Sequence, residues 1–260
     1  MLMVVDIGNT NIVVGLYHDD DLVLDWRLYT DTRRTDDEYS SILRSLFRDS
    51  GIAPGIIEKT IISSVVPLLN DTFLHMIEKL TGKVPIIIGP HLYGLLPVTV
   101  PESAMHEIGT DLVCDSVAAY TQYKKACIII GFGTALTFTA VGDNGDIKGV
   151  AIAPGLGTAM KSLFRDTAQL PSVPLEAPPS SLATNTMHSI QAGVVLGYKG
   201  LVESLITQIR KDLGCEALAI ATGGLSHVLL GITDIFDNVD PKLTLRGLKL
   251  IAGLVSDLPT

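Results

Sequence analysis

Runs of apolar residues with the length and alternation of β-strands dominate the first part of the chain. They occupy residues 3–6, 12–17, 22–29, 60–66 and 84–89. Three successive aspartates at 19–21 predict a turn between the second and third strands. Thr35 followed by Glu38 matches a helix capping box, and apolar residues then recur at helical spacing. That helix is expected to end near Gly51, and a second helix is predicted at 68–80, so the first half predicts the order β-β-β-α-β-α-β.

The second half of the chain alternates strands and helices again. Strands are predicted at 126–130, 136–141, 147–153 and 217–222. Helices are predicted at 110–124, 158–169, 187–213 and 246–256, with a short helix before the last one. A proline-rich stretch at 171–179 predicts a surface connector.

The two halves resemble each other. Each opens with a strand, a tight turn containing glycine and another strand, as VVDIGNTNIVVG at 4–15 and IIGFGTALTFTAVG at 129–142. A duplicated α/β unit with a cleft between the copies is the simplest interpretation. The periodicity alone also permits two unrelated sheets in one domain.

Composition and charge narrow the class of protein. With 260 residues, 47% hydrophobic and 18% charged, the chain is typical of a soluble globular protein. The net charge is −9 and no block of Lys and Arg occurs, so nucleic acid is not an expected partner. The odd number of cysteines and the absence of a basic leader predict a cytoplasmic protein. The uncharged stretch at 126–142 is interrupted by glycines, so it is not expected to cross a membrane.

The segment DIGNTN at 6–11 carries the most chemical information. A carboxylate at a strand end, followed by Gly8 and small polar residues, allows a sharp turn that directs N–H and hydroxyl groups at an anion. The Asp6 carboxylate would hold hydrated Mg²⁺, which prefers one or two protein oxygens with water and phosphate. The alternative is an ordinary hairpin turn in which Asp6 is a polar end-cap.

Two other glycine-rich segments fail to match known phosphate-binding patterns. At 131–136, Leu136 replaces the third glycine of the dinucleotide fingerprint, and a strand follows where that fold requires a helix. At 155–162, Met160 replaces the second glycine of a P-loop. The six histidines show no zinc-binding spacing, and Ser226 does not lie in a hydrolase elbow.

Two carboxylates, Asp111 and Asp115, lie on one face at the start of a predicted helix. Near a cleft, such a carboxylate can act as a general base toward a substrate hydroxyl. The alternative interpretation is that acidic residues in a first helical turn only complement the helix dipole.

Several segments, in this order, resemble the type III pantothenate kinase family. They are DIGNTNIVVGL (6–16), ISSVVP (62–67), IGTDLVCDSVAAY (108–120), GFGTALTF (131–138), GVAIAPGL (149–156), TNT to QAGVVLGYKGLV (184–202), ATGGL (221–225) and DPKLTLRGL (240–248). The resemblance implies the duplicated RNase H-like fold of the acetate/sugar kinase, Hsp70 and actin superfamily. It implies an N-terminal domain at 1–108 and a C-terminal domain at 109–260, with the cleft between them.

The same resemblance implies an activity and a set of site residues. The family uses ATP to phosphorylate the primary hydroxyl of pantothenate, the first step of coenzyme A synthesis, and the resemblance implies a homodimer. The implied phosphate-binding residues are Asp6, Ile7, Gly8, Asn9, Thr10, Asn11, Ile12, Val13 and, in the second loop, Thr134. The implied substrate-binding residues are Gly109, Thr110, Asp111, Leu112 and, from the partner subunit, Thr186. Asp111 would be the base, and Asp6 would steer Mg²⁺ through water.

Two positions depart from the family pattern. Gly131 stands where the family has an aspartate that binds a monovalent cation, K⁺ or NH₄⁺, so this site should be weakened or lost. Leu112 stands where the family has an arginine suited to the pantothenate carboxylate, and such a charge-assisted hydrogen bond is worth about 1.5–3 kcal/mol. Two alternatives therefore remain: a catalytically impaired paralogue that binds nucleotide and acts by interaction, or a kinase of the same fold for another small alcohol.

Overall fold

The chain forms two compact units in a computed structural model, which describes residues 1–165 and 170–255. Among the described residues, the first unit comprises Met1–Ala118 together with 244–255, and the second comprises the described part of Ala119–Leu243. These units differ from the division predicted at residue 108, because the start of the helix at 110 and the C-terminal helix belong with the first unit.

The first unit contains a mixed five-stranded sheet. Its strands are β1 (Leu2–Ile7), β2 (Asn11–His18), β3 (Asp21–Tyr29), β4 (Lys59–Ser64) and β5 (Ile86–Ile87). Their order across the sheet is β3-β2-β1-β4-β5. The first three strands are antiparallel neighbours, whereas β4 and β5 run parallel to β1.

The second unit repeats this sheet. Its strands are β6 (Cys127–Phe132), β7 (Ala135–Val141), β8 (Ile147–Pro154), β9 (Leu218–Thr222) and β10 (Asn238–Val239). Their order is β10-β9-β6-β7-β8, so β6 corresponds to β1 and each flanking strand has its counterpart with the same direction. The register even shifts at matching places, between Leu16 and Tyr17 and between Ala140 and Val141. The predicted duplication of an α/β unit is confirmed.

Nine α-helical segments accompany the two sheets in the described part of the chain. They are α1 (Asp36–Asp49), α2 (Asn70–Thr81), α3 (Pro90–Tyr93), α4 (Thr110–Tyr123), α5 (Leu156–Arg165), α6 (Thr186–Gln191), α7 (Gly197–Leu213), α8 (His227–Leu230) and α9 (Leu243–Leu254). The capping box of α1 is present: Thr35 Oγ1 accepts from Glu38 N at 3.3 Å, and Thr35 N donates to Glu38 Oε2 at 2.8 Å. At the end of α2, Gly82 adopts the left-handed conformation that closes a helix.

Some predicted boundaries differ from the observed ones. Of the strand predicted at 84–89, only β5 pairs, because Val84 is exposed and the chain meets β4 over two residues. The helix predicted at 187–213 is interrupted by a π-helical turn at Ala192–Leu196. The helix predicted at 158–169 ends at Arg165 within the described chain, and both 166–169 and the predicted last helical residue, 256, lie outside the described residues.

Helix α9 packs against α4 and β4 in the first unit. Thr244 Oγ1 donates to Asp115 Oδ1 on α4 at 2.7 Å, and Lys59 Nζ donates to the carbonyl oxygen of Ala252. Gly247 lies directly on the backbone of Cys114, so a Cβ at that position would overlap the Cys114 carbonyl group. Helix α4, which carries Asp111, is thus held closely by α9.

The helices and the cysteines bear on the predicted kind of protein. Across residues 1–165 and 170–255, no helix has the length and apolar character needed to cross a membrane. All three cysteines are free: Cys114 and Cys127 are buried, and Cys215 is exposed.

Candidate active site

The loop between β1 and β2 has the sharp turn that its sequence predicts. Gly8 N donates to the carbonyl oxygen of Asn11 at 3.0 Å, which closes the turn. A Cβ on Gly8 would lie 3.1 Å from that same oxygen, tighter than a side chain normally allows, so glycine suits the turn. Asn9 is exposed at the tip of the loop, where a ligand can reach it.

The predicted phosphate-binding stretch divides into two kinds of residue. The side chains of Ile7 and Ile12 are fully buried in the core of the first unit, so only their backbone can face a ligand. Val13, the last residue of that stretch, is partly buried in β2. The polar residues of the turn, by contrast, retain some exposure.

Asp6 is placed beside a buried serine by strand pairing. The parallel register of β1 and β4 sets Asp6 opposite Ser63, whose hydroxyl hydrogen-bonds to the carboxylate. Surrounding protein withholds water from the carboxylate, and the nearby Asp111 adds negative charge, so the pKa of Asp6 rises to about 7 despite the hydrogen bond from Ser63. Asp6 is therefore a carboxylate that would gain strongly from a nearby cation.

Asp111 lies in the first turn of α4 and is only partly exposed. Its Oδ1 accepts a hydrogen bond from the backbone N–H of Leu112 at 2.9 Å. A Cβ on Gly109 would overlap this carboxylate, so the glycine before the helix leaves the space that Asp111 occupies. Burial raises the pKa of Asp111 above its ordinary value, with backbone hydrogen bonds opposing the shift. The result is a more basic carboxylate held in a defined orientation.

Thr110 connects α4 to the end of β4. Its Oγ1 lies 2.9 Å from Ser63 Oγ and accepts from Ser64 N at 3.0 Å. The hydroxyl predicted to contact substrate is therefore engaged with the strand, and it fixes the distance between the helix of Asp111 and the strand beside Asp6.

Two residues near the carboxylates were not predicted as part of the site. Ser63 is completely buried and hydrogen-bonds to Asp6, Thr110 and the thiol of Cys114. Cys114 is also completely buried, and burial together with the charges of the neighbouring carboxylates raises its thiol pKa well above the ordinary range. Cys114 is accordingly a neutral thiol here. The sequence signal available for Ser63 was the ISSVVP motif, which offered no chemical role by itself.

Leu112 leaves the neighbourhood of Asp111 without the cation that the family pattern carries. Leu112 is 9% exposed and is the residue directly after Asp111 in α4. Burial is the largest influence on the pKa of both carboxylates, followed by Asp111 and Ser63 for Asp6 and by backbone N–H groups for Asp111, and none of these groups is a cation.

The second glycine-rich loop joins β6 to β7 in the second unit. Thr134 is exposed, while its carbonyl oxygen accepts from Gly155 N at 3.0 Å and from Thr158 Oγ1 at 2.7 Å. A Cβ on Gly155 would lie 2.6 Å from that oxygen, so the loop approaches the start of α5 more closely than a side chain permits. These contacts hold the loop in one conformation.

The monovalent cation implied by the family does not fit at Gly131. The position supplies no carboxylate, and a Cβ built there would lie 2.6 Å from Thr137 Oγ1 on the paired strand. The space next to Gly131 is therefore already used by a threonine side chain.

Magnesium, in contrast, fits the chemistry of Asp6. The carboxylate is close to a second one and has no cation among the groups that determine its pKa. In residues 1–165 and 170–255, no group of three or more His, Cys, Asp or Glu side chains is arranged to hold a metal. A site with one carboxylate suits Mg²⁺ bound chiefly by water and phosphate oxygens.

Thr186 begins α6 in the second unit and is exposed. Asn185 caps this helix by accepting from His188 N at 2.9 Å. Thr186 lines an open groove of about 750 Å³ whose walls include Ile190 and Val194.

The sequence and the fold can be compared with known proteins. A sequence model of type III pantothenate kinases matches residues 2–208. The type III pantothenate kinase of Treponema pallidum (strain Nichols) is 44% identical over 258 residues, covering 98% of this chain and 94% of that protein.

Two solved structures share the fold at low sequence identity. A Campylobacter jejuni protein named for the Baf family of transcriptional activators superposes with a TM-score of 0.62 at 19% identity, over 98% of this chain and 100% of that one. MreB 5 of Spiroplasma citri, solved with AMPPNP, gives a TM-score of 0.55 at 9% identity, over 98% and 96% of the two chains. The fold is therefore the one that these two structures share, and the predicted duplicated α/β fold is confirmed.

Proposed function

The chain belongs to the type III pantothenate kinase family, and from that premise we propose how its residues phosphorylate pantothenate in coenzyme A biosynthesis. The enzyme transfers a phosphoryl group from ATP to the substrate hydroxyl. Phosphoryl transfer depends on positioning and on neutralising charge more than on covalent help from the protein. The observation that supports our assignment is the pair of neighbouring carboxylates, Asp6 and Asp111, whose strand and helix are linked by the hydrogen bond between Ser63 and Thr110.

Asp111 is assigned the role of general base. The pantothenate hydroxyl oxygen forms a bond to the γ-phosphorus while the bond from that phosphorus to the β–γ bridging oxygen breaks, and ADP leaves. The hydroxyl proton passes to the Asp111 carboxylate, whose raised pKa makes it a better acceptor than an exposed aspartate. The N–H of Leu112 keeps one carboxylate oxygen oriented during this transfer.

Asp6 is assigned the metal position. Bound Mg²⁺ would neutralise phosphate charge as ATP is consumed. Ser63 orients the Asp6 carboxylate by a hydrogen bond, and the turn at Gly8 brings the exposed Asn9 to the ligand side of the same loop. We assign phosphate contacts to this turn and to the loop at Thr134, each within its own unit.

A homodimer and a cytoplasmic location complete the proposal. Three free cysteines suit a reducing compartment. The exposed Thr186 beside an open groove suits a residue that acts on the site of a partner subunit. Light scattering is expected to give about twice 27.7 kDa.

A mixing experiment tests the shared site directly. Thr186→Ala and Asp111→Asn are each expected to turn over pantothenate poorly. In a heterodimer of the two variants, one of the two sites keeps both intact residues, so subunit exchange should restore up to about a quarter of wild-type activity. A fully active monomer, or exchanged heterodimers with no recovered activity, would refute the contribution of Thr186 across the interface.

The reaction and its cation requirement can be tested in one assay. ADP release is measured with Mg²⁺, with and without pantothenate, in equal concentrations of KCl and NaCl. Because Gly131 offers no carboxylate and Thr137 fills the adjoining space, we expect pantothenate-dependent turnover at nearly equal rates in the two salts.

Each outcome of this assay has a definite meaning. A strong requirement for K⁺ would show that a cation site exists on other ligands. No turnover from folded protein would favour one of the two competing interpretations, a nucleotide-binding paralogue or a kinase for another alcohol. Both arise because Leu112 stands where the family has an arginine.

A further inference from the structure

The first phosphate loop is held by a residue that lies outside it in sequence. Thr30 follows β3 and is 8% exposed. Its Oγ1 donates to the carbonyl oxygen of Gly8 at 2.7 Å, and its backbone N–H donates to the carbonyl oxygen of Thr10 at 3.0 Å. One residue therefore holds the loop on both sides of Asn9.

Thr30 is itself connected to the core. The hydroxyl of Tyr39 on α1 donates to the carbonyl oxygen of Asp31 at 3.0 Å and accepts from Asp31 N at 3.0 Å. Tyr39 is fully buried, and its ring lies 5.0 Å from that of Phe73 on α2. The position of the loop is thus set by two core helices through the segment at Thr30 and Asp31.

The direction of these bonds has a consequence for anion binding. A peptide group is planar and trans, so the N–H of one residue points opposite to the C=O of the residue before it. Because the Gly8 carbonyl oxygen points at Thr30, the Asn9 N–H points away from Thr30. A fixed N–H in a tight turn is the kind of group that binds phosphate oxygens.

We propose that Thr30 is a positioning residue for the kinase reaction, whose hydroxyl orients the Gly8–Asn9 peptide toward the phosphates of ATP. This inference rests on the proposed assignment of the loop to phosphate. Without the Thr30 hydroxyl, the Gly8 carbonyl loses its partner and the peptide can rotate, which weakens nucleotide binding and the alignment of the γ-phosphate.

The test uses Thr30→Val, which keeps the shape of the side chain and removes the hydroxyl. We expect KM for ATP to rise about tenfold and kcat to fall about tenfold, the scale of one lost hydrogen bond with an unpaired acceptor, while KM for pantothenate changes less than about twofold. Thr30→Ser, which retains the hydroxyl, should restore most of both parameters.

Thr60→Val is the matched control. Thr60 is also buried in the first unit, but its Oγ1 has no hydrogen-bond partner in the part of the chain that the structure describes, so the same chemical change removes no bond to the loop. It should leave ATP kinetics unchanged. Unaltered ATP kinetics in Thr30→Val, equal losses in Thr60→Val, or no rescue by Thr30→Ser would each overturn the proposal.

Calorimetric titration with a non-hydrolysable ATP analogue separates this inference from the proposed reaction. The analogue should bind Thr30→Val about tenfold more weakly than wild type even if pantothenate turnover were absent. Equal affinities would reject the role of Thr30, whereas absent turnover with the expected affinity loss would reject the reaction alone.

Discussion

Asp111→Asn is expected to lower kcat by about a hundredfold to ten thousandfold, the usual contribution of a general base. The amide has the shape of the carboxylate and fits the space that Gly109 leaves, so the fold should be retained. It can no longer accept the proton of the attacking hydroxyl. Because Asp111 is not assigned to phosphate binding, KM for ATP should change little. Steady-state kinetics with pantothenate as the varied substrate measures the effect.

Asp115→Asn provides the matched control for this variant. Asp115 lies one turn further along α4, and its Oδ1 accepts from Thr244 Oγ1, a bond that the amide oxygen of asparagine can also accept. Turnover should therefore stay within a few-fold of wild type. Near-normal turnover in Asp111→Asn would show that Asp111 is not the general base. A large loss of turnover in Asp115→Asn would show that the second carboxylate contributes to the reaction.

Most of the fold follows from local pattern because each long element buries one face. The strands of the first hairpin and their counterparts at 127–154 have the length and apolar content that period-two packing requires, and they were predicted within a few residues. The two-residue strands β5 and β10 were not predictable at their true extent, because their pairing with β4 and β9 is a property of the neighbours. The π-helical turn at Ala192–Leu196 was likewise not predictable, because no pattern of apolar residues distinguishes it from the α-helix around it.

The site residues that could be predicted are those whose chemical role is indicated by their immediate neighbours in the sequence. Asp6 and Asp111 could be identified because a strand-end carboxylate before glycine and an acidic first helical turn are local patterns. Ser63 and Thr30 could not, because each acts through a contact made by strand pairing or by a loop carbonyl far away in sequence. The sequence around a serine in a buried strand does not indicate whether its hydroxyl faces a carboxylate or a methyl group.

Gly247→Ala is expected to destabilise the protein by about 1–3 kcal/mol, the range for overpacking a close contact, even though alanine is intrinsically the better helix former. In α9, a Cβ on Gly247 would overlap the carbonyl group of Cys114 and lie 2.9 Å from its Cα, so backbone must move against backbone. Cys114 lies one turn after Asp111, and displacing α4 there would also shift the base. Both a lower melting temperature and a lower kcat are expected.

Gly253→Ala separates the contact from the general effect of adding a methyl group to α9. Gly253 lies on the same helix, and outside its own helix backbone no atom of residues 1–165 and 170–255 comes within 4 Å of the new Cβ, so alanine should stabilise the helix by up to about 1 kcal/mol. Thermal and urea unfolding of the two variants measures the difference. If Gly247→Ala were as stable and active as Gly253→Ala, α9 would not hold α4 in place, and the position of Asp111 would have to depend on Thr110 and its bonds to β4 alone.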